Sequence, residues 1–130
     1  MDTAAYENLI RQLCEAHGSP DATNGVIACK HLEVEGRLVG LIPRDDSGLD
    51  VFIELQQTYP DRDHSLYEKI LRGNISAGSD LMGFFGLHPE GIRVVYRMRL
   101  PDDLSGEELS ALLLGQIQAA SQALQTISAS

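Results

Sequence analysis

Between Ile92 and Leu100 the sequence alternates without interruption. Ile92, Val94, Tyr96, Met98 and Leu100 fall in one phase, Arg93, Val95, Arg97 and Arg99 in the other. Successive side chains of a strand point to opposite faces, so this segment offers one face to a core and one to water. Such a strand belongs in an antiparallel sheet covered on a single side, because parallel sheets are buried on both. Earlier runs fit the same sheet. Val26 to Val34 sets Leu32 and Val34 against His31, Glu33 and Glu35; Gly36 breaks it, and Leu38-Val39-Gly40-Leu41-Ile42 resumes it before Pro43. After the turn Arg44-Asp45-Asp46-Ser47-Gly48, Val51, Ile53 and Leu55 alternate with Phe52, Glu54 and Gln56. The links are shorter than the dozen or so residues (about 12) of a parallel crossover, which predicts an antiparallel meander.

Helical periodicity flanks these strands. Tyr6, Leu9, Ile10, Leu13, Cys14 and His17 recur at helical spacing, predicting a helix that ends before Gly18-Ser19-Pro20, with residues 18–25 as a connecting loop. After Pro60, Ser65 and Glu68 have capping-box spacing. Leu66, Tyr67, Ile70, Leu71 and Ile75 follow as the apolar stripe of a second helix, with Asn74 beside it and Gly78 as its stop. Gly83 and Gly86 make Leu81–Leu87 a short strand or a close backbone contact, and His88-Pro89-Glu90-Gly91 a turn. Ser105 with Glu108 caps a last helix whose stripe is Leu109, Leu112, Leu113, Ile117, Ala120, Leu124 and Ile127. The expected fold class is α+β: a single domain over residues 1–130, ordered α-β-β-β-α-β-β-α, with a mainly antiparallel twisted sheet.

Composition narrows the function. The 130 residues include 10 Lys and Arg against 19 Asp and Glu, a net charge of -9. That surface repels phosphate backbones and anionic lipid, so neither nucleic acid nor a membrane is an expected partner, and a basic or polar polypeptide suits the total charge better. No run approaches the ~18 apolar residues of a membrane span. Met1-Asp2-Thr3-Ala4 lacks the regions of a signal peptide, which predicts a cytoplasmic protein. Cys14 and Cys29 read as reduced, mostly buried thiols. His17, His31, His64 and His88 lie in separate segments without ligand spacing, and Asp45-Asp46 and Asp102-Asp103 sit in turns that account for them. Gly83-Phe84-Phe85-Gly86 lacks the pattern of a phosphate loop. No metal, no cofactor and no enzymatic activity is expected.

What remains is surface. Arg93, Arg97 and Arg99 concentrate positive charge on one strand face; they read either as a solvated face paired with neighbouring acids, or as a charged docking stripe for an acidic segment or a dimer contact. Apolar residues also occupy both strand phases: Leu38 and Ile42 against Val39 and Leu41, and Phe52 against Val51, Ile53 and Leu55. A core can take one phase. The other needs a cover from a helix, a dimer seam or another chain.

The element order, with four stretches, resembles the class I secretion chaperones of bacterial type III systems, the Tir-chaperone-like family. The stretches are Leu32-Glu33-Val34-Glu35-Gly36-Arg37-Leu38, Tyr67-Glu68-Lys69-Ile70-Leu71-Arg72-Gly73-Asn74, Phe85-Gly86-Leu87-His88-Pro89-Glu90-Gly91 with Ile92-Arg93-Val94-Val95, and Arg99-Leu100-Pro101 before Leu104. The likeness spans residues 3–127, and the last helix departs from it by lacking an aromatic residue around Gln118–Leu124. The resemblance implies a bacterial cytoplasmic homodimer that binds the N-terminal region of a secreted effector in extended form, keeps it soluble and secretion-competent, and assists its delivery to the export apparatus, with the export ATPase as a further partner. It implies dimer contacts at Leu66, Tyr67, Ile70, Leu71, Phe84, Phe85 and Leu87, and effector contacts at Leu9, Leu13, Val39, Leu41 and Phe52. The alternative is a small acidic adaptor or regulatory protein binding a folded partner, which would protect a compact epitope instead of an extended segment.

Overall fold

The computed structural model describes residues 1–57, 64–76, 81–88 and 93–129, leaving aside the side chains of 56–57, 64–67, 75–76 and 128–129. Five strands form one antiparallel sheet in the order β1-β2-β3-β5-β4. They are β1 (His31–Val34), β2 (Arg37–Pro43), β3 (Leu49–Gln57), β4 (Phe84–Leu87) and β5 (Arg93–Leu100), and the helices are α1 (Thr3–Ala16), α2 (Thr23–Cys29), α3 (His64–Ser76) and α4 (Gly106–Ala129). The alternation of β5 is realised: Val94, Tyr96, Met98 and Leu100 are buried, while Arg97 and Arg99 are exposed. Ile92, the turn after Pro60, Gly78 and the Pro89–Gly91 turn lie outside the described residues.

The inward phase of every strand meets the helices in a single core. Val39 and Leu41 from β2, Val51 and Ile53 from β3 and the buried phase of β5 pack with Tyr6, Ile10 and Leu13 of α1 and Leu109, Leu113 and Ile117 of α4. At the crossing of α1 and α4, Gly106 donates its N–H to Gln12 Oε1 at 2.9 Å, and a Cβ at Gly106 would overlap Gln12 and the backbone of Leu13. The Ser105–Glu108 capping box forms in both directions at 3.1 Å. Asp2 caps α1 by accepting from Ala5 N–H at 2.7 Å, and His17 is its C-cap.

Two local features fix the sheet's register. Glu35 (φ 52°) and Gly36 (φ 72°) both take positive φ between β1 and β2, the backbone of a two-residue hairpin whose twist matches its strands. Between Glu54 and Gln56 the pairing of β3 with β5 shifts by one residue, a bulge that leaves the Leu55 carbonyl outside the ladder. The Arg37 guanidinium donates to that carbonyl.

One element departs from the expectation. Residues 18–25 were expected as loop and Val26 as the start of a strand, but a 3₁₀ turn at Pro20–Ala22 leads into α2, and β1 begins only at His31. Val26 and Ile27 are β-branched and read locally as strand. Burial of Val26, and packing of Ile27 against the core, outweigh that preference, and Lys30 ends the helix in the left-handed conformation at φ 64°. The thiols also divide. Cys14 is buried as expected, whereas Cys29, at the end of α2, is exposed.

Tyr6 ties α1 to the sheet, its hydroxyl donating to the Leu41 carbonyl at 2.6 Å inside the core. Burial, with a smaller contribution from the nearby Cys14, pushes this phenol from 10.0 up to about 12. The unfolded chain therefore ionises first as pH rises, so Tyr6's stability contribution is full below about pH 10 and lost on the way to about pH 12. Tyr6→Phe is expected to cost about 1 kcal/mol at neutral pH. It should also flatten the alkaline fall, leaving the share of Tyr96, whose phenol burial likewise raises. Urea unfolding midpoints across that pH range check both.

Candidate docking surface on the open sheet face

Helices α1 and α4 cover one face of the sheet, and the other phase of each strand lines a groove of about 750 Å³. Its central row crosses all five strands: His31 opposite Gly40, Gly40 opposite Phe52, Phe52 opposite Arg97, and Arg97 opposite Phe84. Gly40 supplies no side chain, so Phe52 stands above the floor beside it. The wall is apolar for a solvent-facing surface: Leu38, Ile42, Phe84 and Leu87 are 38%, 44%, 66% and 40% exposed. The phase of Leu38 and Ile42, with that of Phe52, was visible as the surplus apolar phase of β2 and β3. Which side the helices take was not.

Electrostatics divide the same face. Arg93 pairs with Glu54 at 2.9 Å. Arg44 holds Asp46 at 3.0 Å and reaches Asp50 at 3.3 Å, while Arg97 and Arg99 stand 3.7 and 3.6 Å from the same Asp50 carboxylate. The hydrogen bonds from Arg44 hold the Asp46 carboxyl well below the usual carboxylate range. Arg97 also lies 5.4 Å from the Phe52 ring centroid, within cation–π range. The arginine stripe is thus paired with neighbouring acids, but unevenly.

The two edges of the sheet differ. In β1 the Lys30 carbonyl accepts from Leu41 N–H at 2.8 Å, so in the antiparallel alternation the backbone groups of His31 and Glu33 turn away from β2. In β4 the corresponding outward groups of Phe85 are taken: its N–H donates to Asn74 Oδ1 at 2.7 Å and its carbonyl accepts from Asn74 Nδ2 at 2.9 Å. Asn74, beside the apolar stripe of its own helix, latches the neighbouring strand. The start of β4 is held too, since Gly83 N–H donates to the Tyr96 hydroxyl at 2.7 Å, which donates to Gln116 Oε1 at 2.7 Å.

The residues named from sequence distribute unevenly over this geometry. Leu9, Leu13, Val39 and Leu41, expected at an effector groove, are buried between α1 and the sheet; their phase is the one the helices cover, and Phe52 alone of that set faces the groove. Of the residues expected at a dimer seam, Ile70 and Phe85 are in the core, with the Phe85 ring centroid 5.3 Å from that of Tyr96. Leu71 (66% exposed), Phe84 and Leu87 reach the surface, and the side chains of Leu66 and Tyr67 lie outside the described residues. Among the described residues no group of His, Cys, Asp and Glu could hold a metal ion, and no helix is long and apolar enough to cross a membrane.

Among the described residues, the helices cover one face of an α+β sheet and leave an apolar groove on the other. The Tir chaperone protein (CesT) family profile matches residues 8–124, and the chain belongs to that family of non-catalytic, effector-binding type III secretion chaperones. Its fold is similar to that in the ExoT–SpcS complex of Pseudomonas aeruginosa, with 19% identity, a TM-score of 0.58, and coverage of 91% of this chain and 96% of that one. It is also similar to the heterodimeric ExoU–SpcU complex of the type III secretion system of the same organism, with 16% identity, a TM-score of 0.53, and coverage of 75% and 79%. No curated protein matches the sequence.

Removing the Asn74 amide leaves the Phe85 N–H and carbonyl without their partner. Asn74→Ala is expected to cost about 1–3 kcal/mol in chemical unfolding. It should also increase concentration-dependent association, read by light scattering, because a strand edge is uncovered.

Proposed function

We propose that this chain is a dimeric cytoplasmic chaperone that holds the N-terminal region of a type III effector in extended form. The effector stays soluble and secretion-competent and is handed, with its chaperone, to the export apparatus and its ATPase. The observation that carries this reading is the apolar groove on the open sheet face beside the free edge of β1. One stretch of an extended segment can lay side chains against Leu38, Phe52 and Phe84 across the strands, and another stretch can pair its backbone with His31 and Glu33 along the edge. At ~25 cal/mol per Å² of apolar area removed from water, covering these side chains contributes several kcal/mol. That gain opposes the entropy lost when a disordered segment is ordered. Sequestered apolar side chains of the client are unavailable for aggregation or premature folding. The related ExoT–SpcS and ExoU–SpcU structures are complexes, which supports a partner-bound state for this fold.

Dimerisation through α3 fits the exposure of Leu71, a large apolar side chain on the helix that also latches β4. Leu71→Asp is expected to shift the native mass toward the monomer without loss of helical signal in circular dichroism. Co-expression with an effector encoded in the same genome, followed by limited proteolysis, tests the client mode. One contiguous N-terminal segment should survive with the chaperone, and Phe84→Ser should shorten or abolish it. Protection of a compact folded domain alone sinks the extended-binding reading.

A further inference from the structure

We propose that the segment held on the open sheet face carries an acidic side chain that pairs with Arg97, flanked by apolar side chains seated against Phe52 and Phe84. This rests on the open face being the client surface, and it names the chemistry that surface selects. The basis is an imbalance of charge. Among the described residues, Arg44, Arg97 and Arg99 share two carboxylates, Asp46 and Asp50. Arg44 takes Asp46 at 3.0 Å and lies nearest Asp50 at 3.3 Å. Arg97 and Arg99 meet Asp50 only at 3.7 and 3.6 Å, beyond hydrogen-bonding reach, and their side chains stay 49% and 63% exposed.

The other charges of the groove do not reverse this balance. Glu54 on its wall is matched by Arg93 at 2.9 Å. Lys30 borders the groove, but its ammonium lies over the Tyr6 ring and 3.2 Å from the Ile27 carbonyl, on the side of the sheet that α1 covers. The Glu54 carboxylate is closely matched, whereas Arg97 meets its acid only at 3.7 Å and stays half exposed, on a chain whose net charge is -9. Total charge favours a basic partner, yet the site favours an acidic residue set among apolar ones.

Position adds the second requirement. Arg97 lies opposite Phe52 on β3 and Phe84 on β4, with its guanidinium 5.4 Å from the Phe52 ring centroid. A smaller hollow of about 360 Å³, lined by Met82, Phe84, Arg97 and Arg99, continues past Phe84. A carboxylate placed there accepts a charge-assisted, two-pronged hydrogen bond, and apolar neighbours shield it from water.

Three fluorescent probe peptides of alternating Leu and Ser, identical except for a central Glu, Gln or Lys, are titrated into the full chain. The Glu peptide is expected to bind about fivefold tighter than the Gln peptide, with Lys weakest, a gap that narrows in high salt. Arg97→Gln should equalise Glu and Gln, Arg97→Lys should keep part of the preference, and Phe84→Ser should weaken all three alike. Equal affinity of the three peptides for the unmodified chain overturns the acidic preference and leaves the apolar groove standing. Binding of none overturns both, and if Phe84→Ser then also lowers the native mass to a monomer, the face belongs to a second copy.

Discussion

The pairing of β3 with β5 fixes the side on which every other element lies. These long central strands carry their bulky apolar side chains in one phase, and α1 and α4 pack against that phase alone. Once Tyr6, Ile10, Leu109 and Leu113 have filled it, no described helix covers the opposite face. Phe52, Arg97 and Phe84 are therefore at the surface for the same reason that Ile53, Tyr96 and Phe85 are in the core: strand neighbours point to opposite sides. The open surface and the core are two readings of one alternation.

Polar groups then decide how accurately that surface is built. β4 is four residues long and sits at an edge, where a strand is held weakly by its ladder alone. Asn74, Tyr96 and Gln116 supply directional contacts that place it. Each is a buried or half-buried group whose partners are specific atoms, so displacement leaves an unsatisfied donor or acceptor. Phe84 and Gly86 owe their position on the groove wall to this framework.

Much of the fold was legible because its longest elements obey a single period. The strict alternation of Val94 to Leu100 and the stripe of Leu109, Leu113, Ile117, Ala120 and Leu124 needed no tertiary information. α2 was not legible, since Thr23–Cys29 is two turns long and its Val-Ile pair suits a strand until α1 is present to bury it. The site was half legible. Leu38, Ile42 and Phe52 announced a surplus apolar phase, but choosing between the phases of β2 required knowing where Tyr6 and Leu13 pack. That choice put Val39 and Leu41 inside. The Asn74 latch left no local signal, because its partner Phe85 is eleven residues away in another element.

The unequal edges of the sheet carry a consequence for how copies of this molecule can meet. Filaments of sheet proteins grow when the free margin of one subunit adds to the opposite free margin of the next, a head-to-tail contact that never closes. Here Phe85 has its outward main-chain bonds occupied by its own subunit, which blunts the β4 margin, whereas the outward groups of His31 and Glu33 leave the β1 margin more receptive. Repetition along the sheet is thereby disfavoured. The contact that places β4 works at the same time against open-ended growth.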